Sequence, residues 1–251
     1  MIIKMIFRFS EYGCAFPTII MLASIFFAGG NPFIAGIFVI LVLLFSILIT
    51  LLISSILGTT ILKGVDSSFT LELPPYRKPQ FAKVIVRSVL DRTIFVLGRA
   101  ICVSVPAGAL IWLLQNITVG DITILTMFSN LLEPLGSIMG LSGAILAAFL
   151  LGIPANEIVI PILLMYYSQS GMLVETSNMM ELGEILRNNG WTIVTALCAI
   201  LFSLNHFPCA TTLWTIAKET KSVKWTVLSF FIPTMVGVSI CMIVHLVATL
   251  F

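Results

Sequence analysis

Residues 33–57, FIAGIFVILVLLFSILITLLISSIL, run for 25 positions without a charge. At about 1.5 Å of rise per residue, a helix of that length crosses the ~30 Å hydrocarbon core of a bilayer. A helix that is apolar on every side has no face to offer water, so this run commits the chain to a membrane. Composition agrees with it. Of 251 residues, 59% are hydrophobic and 10% charged, where soluble domains carry roughly a quarter charged. The mean hydropathy is +1.13.

Further candidate spans are residues 15–28, 98–115, 191–207 and 225–250. The first of these ends at AGGNP, which reads as a tight turn into 33–57. The stretch 131–168 is too long for one helix and is interrupted by Pro134, Gly136, Gly140, Gly152, Pro154 and Pro161. It reads as one span followed by a second, broken one. Within it GSIMG (136–140) matches the small-xxx-small pattern of a helix-packing contact. The expected fold is all-α, a polytopic membrane helix bundle with broken helices and an amphipathic interfacial helix. It forms a single membrane domain over 1–251, with seven embedded segments and the C-terminus outside.

Charge placement orients the chain. Twelve of the thirteen Lys and Arg fall at Lys4 and Arg8, between Lys63 and Arg99, and at Lys218, Lys221 and Lys224. Lys and Arg in short loops mark the cytoplasmic side. A net charge of +2 gives no reason to expect a nucleic-acid partner; the partner implied by the composition is membrane lipid. In the cytoplasmic connection 58–97, Lys83, Arg87 and Asp91 lie four apart opposite an apolar face, the pattern of an amphipathic helix on the membrane surface. Residues 169–190 form the outer loop. There Asn178 and Glu181 suit a capping box for a short helix ending at NNG.

The five cysteines are odd in number and widely spaced, without a CxxC pair, so a disulfide framework is not expected. Cys102, Cys198 and Cys241 have no helix break or polar partner and read as packing residues. No P-loop, HExxH motif or nucleophile–base pair is present, so the chain is not expected to be an enzyme or to hydrolyse nucleotide alone.

Three places share one arrangement, a Pro beside small or polar residues opening an apolar helix: GCAFPTIIM (13–21), GIPANEIVI (152–160) and FPCATTLWTI (207–216). Pro17, Pro154 and Pro208 suit a first helical turn, where the missing N–H would be unpaired anyway. In lipid such breaks persist only inside protein or along a cavity, where they commonly build substrate and ion sites. Glu157, beside Asn156, is an acid within an apolar stretch, which makes it a functional candidate; the same carboxylate can also cap the free N–H groups of the helix it opens. Cys209 can be a small hydrophobe or a ligand, and His206 can cap a helix end or join Cys209 on one face. Thiolate, imidazole and carboxylate together suit a transition ion such as Fe(II) or Zn(II) rather than Mg or Ca.

LELPPYRKPQ (71–80), GIPANEIV (152–159) and FPCATTLWTIAKETKSVKWT (207–226), in that order, resemble the C-terminal membrane half of the bacterial ferrous iron transporter B family. The resemblance covers about residue 10 to the end. It implies Fe(II) passage across the inner membrane, no permanently bound cofactor, and gate modules of the nucleoside-recognition type. Cys209 and Glu157 match family positions, and Cys14 corresponds to a Cys-Gly position in the order Gly-Cys here. Family members carry an N-terminal GTP-binding domain and further helices. The resemblance therefore implies a GTP-binding chain or missing membrane half as partner, and it leaves room for a homo-oligomer. Rival readings are a module for another divalent metal or small solute, and a non-transporting truncated partner. Where the family commonly has Ala-Lys-Glu, this chain has Ala155-Asn156-Glu157.

Overall fold

The computed structural model describes residues 12–29, 31–60, 94–120, 122–168 and 179–250. The chain is a helix bundle. Helix α1 (Tyr12–Phe26) turns into α2 (Pro32–Thr60), followed by α3 (Phe95–Asn116), α4 (Ile124–Ile138), α5 (Gly143–Leu151), α6 (Val159–Ser168), α7 (Met179–Asn188), α8 (Ile193–Asn205), α9 (Ala210–Thr220) and α10 (Val223–Leu250). A 3-10 turn at Asn156–Ile158 precedes α6, and two-residue strands Thr118–Val119 and Ile122–Thr123 pair antiparallel between α3 and α4.

The AGGNP turn forms as the sequence predicts. Gly29 takes a positive φ of 54°, and the Asn31 side chain accepts from the Phe33 N–H at 3.0 Å at the start of α2. Phe27 then stacks on Phe38 with centroids 4.1 Å apart, folding α2 back on α1. The amphipathic segment 81–97 lies almost wholly outside the described residues.

Among the described residues, three stretches are long and apolar enough to cross a membrane: Pro32–Leu57, Ile193–Thr220 and Val223–Leu250. Two expectations change. The span 191–207 does not stop at the His206 break; the path continues through α9, so the break falls inside a 28-residue crossing rather than at its edge. And 131–168 holds no single helix of crossing length; α4 and α5 are apolar and long enough for one span only as a bent pair. Helices α4 and α5 meet at 112°, and α4, α5 and α6, at 15, 9 and 10 residues, are each shorter than the ~20 residues a crossing needs.

The 136–140 motif is the cause of that bend rather than a contact between two long helices. Gly140 takes a φ of 71°, and a Cβ on Gly136 would lie 2.9 Å from the Ser142 carbonyl carbon. Glycine at both positions lets α4 and α5 fold against each other. Glu133 on α4 then accepts from the Gly143 N–H at 2.6 Å, and Ser142 accepts from the Ile145 N–H at 3.3 Å. Together they satisfy free donors at the start of α5, whose residues Gly143–Phe149 are all buried.

Helix α7 occupies half of the expected outer loop. It ends at NNG in a Schellman motif, the Trp191 N–H reaching the Leu186 carbonyl at 3.1 Å while Gly190 takes a φ of 84°. Glu181 lies in its first turn; Asn178 is outside the described residues. The lone basic residue between the charge clusters, Arg187, donates to the Ile25 carbonyl at 3.1 Å and sits 5.7 Å from the Phe26 ring centre, holding α7 on the end of α1.

Apolar burial alone does not hold helices together in lipid, because the tails are as apolar as Leu; close packing does. Helix α10 supplies it with a buried stripe of Ser229, Pro233, Gly237 and Cys241, four apart. A Cβ on Gly237 would lie 2.7 Å from the Asn205 carbonyl oxygen. Cys241 lies against α8, its thiol 3.4 Å from the Cys198 carbonyl oxygen. These two cysteines are packing residues as expected, but Cys102 is exposed on α3.

Candidate functional site

The two later breaks form and meet. Helix α5 ends at Leu151; Gly152 and Ile153 turn the chain, Pro154 follows, and Ala155 is extended before the 3-10 turn. A Cβ on Gly152 would lie 2.7 Å from a Val159 methyl, so only glycine lets α6 start this close to the end of α5. Helix α8 ends at Asn205; His206 and Cys209 are extended, and Cys209 is the N-cap of α9. The Ala210 N–H donates to the Ile153 carbonyl at 2.8 Å. One break thus gives a free helical N–H and the other accepts it, which satisfies in protein what lipid could not.

Pro17 behaves differently. It is the sixth residue of α1, inside a continuous helix over the described residues, so it opens no helix there. Tertiary packing keeps the helix running through it: Ala15, Ile19, Leu22 and Ala23 are all buried in the core. Helix α1 nonetheless reaches the site, because it packs against the Asn156–Ile158 turn and against α8. Cys14 belongs to this helix; its side chain lies outside the described ones.

At the second break every residue from Phe202 to Cys209 is buried. The His206 ring is packed among Phe149, Phe202 and Phe207, with centroids 5.3, 5.4 and 4.7 Å away. Its Nδ1 lies 3.0 Å from the Ser203 carbonyl. A carbonyl only accepts, so Nδ1 carries the proton and Nε2 carries the lone pair. That Nε2 is buried without a hydrogen-bond partner. A ring held by Nδ1–H on a carbonyl, with Nε2 free, is how metal-binding histidines are commonly presented.

The Cys209 sulfur lies 3.1 Å from the Thr211 hydroxyl and 3.2 Å from the Thr212 hydroxyl. Soft sulfur and two hard oxygens are therefore grouped at the mouth of α9. Asn156 is also buried, and its Oδ1 has no partner. Glu157, one residue on, is exposed. Among the described residues no three of His, Cys, Asp and Glu converge as a ready-made metal site.

Sequence reasoning missed two residues here. Asn205 is buried, donates to the Leu201 carbonyl at 3.0 Å, and accepts from the Ser46 hydroxyl at 3.3 Å, tying α2 to the break. Its signal was available, since an amide inside an apolar span requires a partner. Glu133 is the other, an acid within an apolar helix whose partner Gly143 lies ten residues on and becomes its neighbour only through the 112° bend.

Compared with known proteins, residues 97–223, just over half of the chain, match the Gate family described as nucleoside recognition. Residues 39–92 match the ferrous iron transport protein B C terminus. The Fe(2+) transporter FeoB of Staphylococcus aureus is 26% identical over 253 aligned positions, covering 97% of this chain and 36% of that protein. The Fe(2+) transporter FeoB of Synechocystis sp. is 29% identical over 168 positions, covering 66% of this chain and 26% of its own length. A Porphyromonas gingivalis fusion of Fe(2+) transport protein A with FeoB is 23% identical, covering 94% and 33%. The chain therefore spans about a third of the length of the curated relatives it matches. No solved structure matches it.

Proposed function

Because this chain belongs to the nucleoside-recognition gate family, in the arrangement of the C-terminal membrane region of ferrous iron transport protein B, we propose that it forms the permease part of a ferrous iron transporter. It carries Fe(II) across the bacterial inner membrane and works with a separate GTP-binding chain or membrane half that docks on the basic 58–97 segment. Fe(II) is the transported ion, and no cofactor stays bound.

One observation carries this reading: the Ala210 N–H to Ile153 carbonyl bond joins the break inside the membrane-length stretch Ile193–Thr220 to the break between α5 and α6. Cys209 directly precedes Ala210 in the chain, His206 lies in the same break with its Nε2 unpartnered, and Asn156, three residues after Ile153, has an unpartnered carbonyl oxygen. Nitrogen, sulfur and a few oxygens suit a borderline transition ion and not Mg or Ca. Donors met one after another bind more weakly than a closed set, which lets an ion leave as well as enter. In this account Fe(II) is drawn to the exposed Glu157 and exchanges hydration water for Cys209 and the break carbonyls. His206 receives it next, and Cys14 assists from α1.

The test is Fe(II) uptake in cells without their own ferrous transporters, expressing this chain with a GTP-binding partner. Cys209→Ala and Glu157→Gln should each lower uptake at least about tenfold, the scale on which loss of supporting metal-site groups acts. Uptake at the unsubstituted level for both variants, with each present in the membrane, would sink the assignment of these residues.

A further inference from the structure

At the end of the broken crossing the chain reverses within three residues. Lys221 closes α9 in the left-handed conformation, φ 48°, with its N–H on the Ala217 carbonyl at 3.0 Å, and α10 opens at Val223. Between the last turns of α9 and the first turn of α10 lies an open groove of about 510 Å³ lined by Leu213, Trp214, Ala217, Lys218 and Thr226. Its chemistry is two-sided. Leu213, Ala217 and the exposed Trp214 are apolar surface; Lys218 lines the groove, and Lys221 and Lys224, outside its lining, bring the exposed ammonium groups to three within seven residues. Helix α10 has no acidic residue in its first turn, so its free amide N–H groups and positive end are not offset from within. Glu219 is the one carboxylate between residues 210 and 226.

We propose that this groove binds an anionic phospholipid, its phosphate held by Lys218, Lys224 and the amide end of α10, its glycerol and acyl chain lying on Leu213, Trp214 and Ala217. A positive rim beside an apolar wall is complementary to a ligand that is anionic at one end and apolar at the other. Free phosphate meets only the rim, and a zwitterionic lipid brings no net charge to it. The helix end suits a phosphate oxygen for the same reason that other helix N-termini bind anions, and basic pockets between helices on the cytoplasmic side are where anionic head groups bind. The site is independent of the transported ion, so its test involves no iron.

The full chain is reconstituted in phosphatidylcholine bilayers containing a minor fraction of phosphatidylglycerol brominated on its acyl chains, or the same fraction of brominated phosphatidylcholine. The Trp214 contribution to fluorescence is isolated by comparison with Trp214→Phe. Brominated phosphatidylglycerol should quench it at a lipid fraction about fivefold lower than brominated phosphatidylcholine, the scale of one lysine near an anionic head group. Lys218→Gln with Lys224→Gln should remove that preference, and the two Arg substitutions should keep it. Native mass spectrometry of the unsubstituted chain, which should retain phosphatidylglycerol over phosphatidylcholine, gives the same answer without the tryptophan variant. Equal quenching by the two lipids, or a preference that survives both Gln substitutions, overturns the proposal. So does a preference abolished by millimolar inorganic phosphate, which would make the groove a soluble-anion site.

Discussion

In His206, ring packing and the proposed iron path meet in one side chain. Its ring fills a space between three phenylalanines, while its Nε2 is buried and unpaired. An unpaired buried polar atom costs about 1–3 kcal/mol. His206→Phe keeps an aromatic ring in that space and removes the unpaired atom, losing in exchange the Nδ1 bond to Ser203, a bond of about 1 kcal/mol. The variant should therefore melt at or above the temperature of the unsubstituted protein and yet transport Fe(II) poorly. A variant both less stable and fully active would show that the ring serves packing alone. Cys209→Ser is the companion case. A hydroxyl can keep both threonine contacts, so stability should move by less than about 1 kcal/mol. Replacing a soft ligand with a hard one should nevertheless lower Fe(II) uptake, measured side by side with Mn(II), which prefers oxygen.

Glycines separate the elements that must touch from those that need not. A Cβ on Gly143 would run into the Ser129 carbonyl oxygen, and neither backbone can yield without opening the α4–α5 bend. Gly143→Ala should destabilise the protein by about 3 kcal/mol or more, beyond the ordinary cost of overpacking. Gly36 on α2 has nothing within 4 Å, so Gly36→Ala should be neutral or stabilising by up to about 1 kcal/mol. Thermal unfolding of both in the same detergent measures the contrast; equal effects would contradict the close fit at the bend. The elements also mark where sequence reading works. The 25-residue run and the Pro208 break were legible because apolar length acts locally and a proline disfavours helix in the residue before it, although Pro208 stands ahead of the Cys209 N-cap and not in the first turn of α9. Pro17 misled, because a helix held by buried neighbours tolerates a proline that a local rule would place at its start. The 112° bend was hidden because GSIMG satisfies the rule for helix contact and for a tight turn alike. Glu133 stayed out of view for a related reason: its partner is set by that bend and not by spacing. The role proposed for Glu157 rests on its place in the 3-10 turn that follows the Gly152–Pro154 break, where local patterning indicated only an acid in an apolar stretch.

At the scale of the molecule, burial grades from centre to rim. Within the 18-residue apolar window of each stretch, 72% is buried for Ile193–Thr220, against 17% for Pro32–Leu57 and 22% for Val223–Leu250. A broken helix carries backbone groups that lipid cannot satisfy, so it belongs at the centre, and uniformly apolar helices can sheathe it. Asn205 makes the connection explicit, joined to the sheathing α2 through Ser46 and pressed against Gly237 of α10. Under the proposed function, lipid together with a partner completes the sheath, and transport requires both. The measurement that tests the central claim most directly is Fe(II) influx into proteoliposomes containing this chain and a GTP-binding partner. The unsubstituted chain is compared with the double variant Cys209→Ser, His206→Phe after circular dichroism establishes equal helicity. The account predicts GTP-dependent influx with the first and loss of at least about nine-tenths of it with the second, a tenfold effect; equal influx through both would place the iron path elsewhere in the bundle.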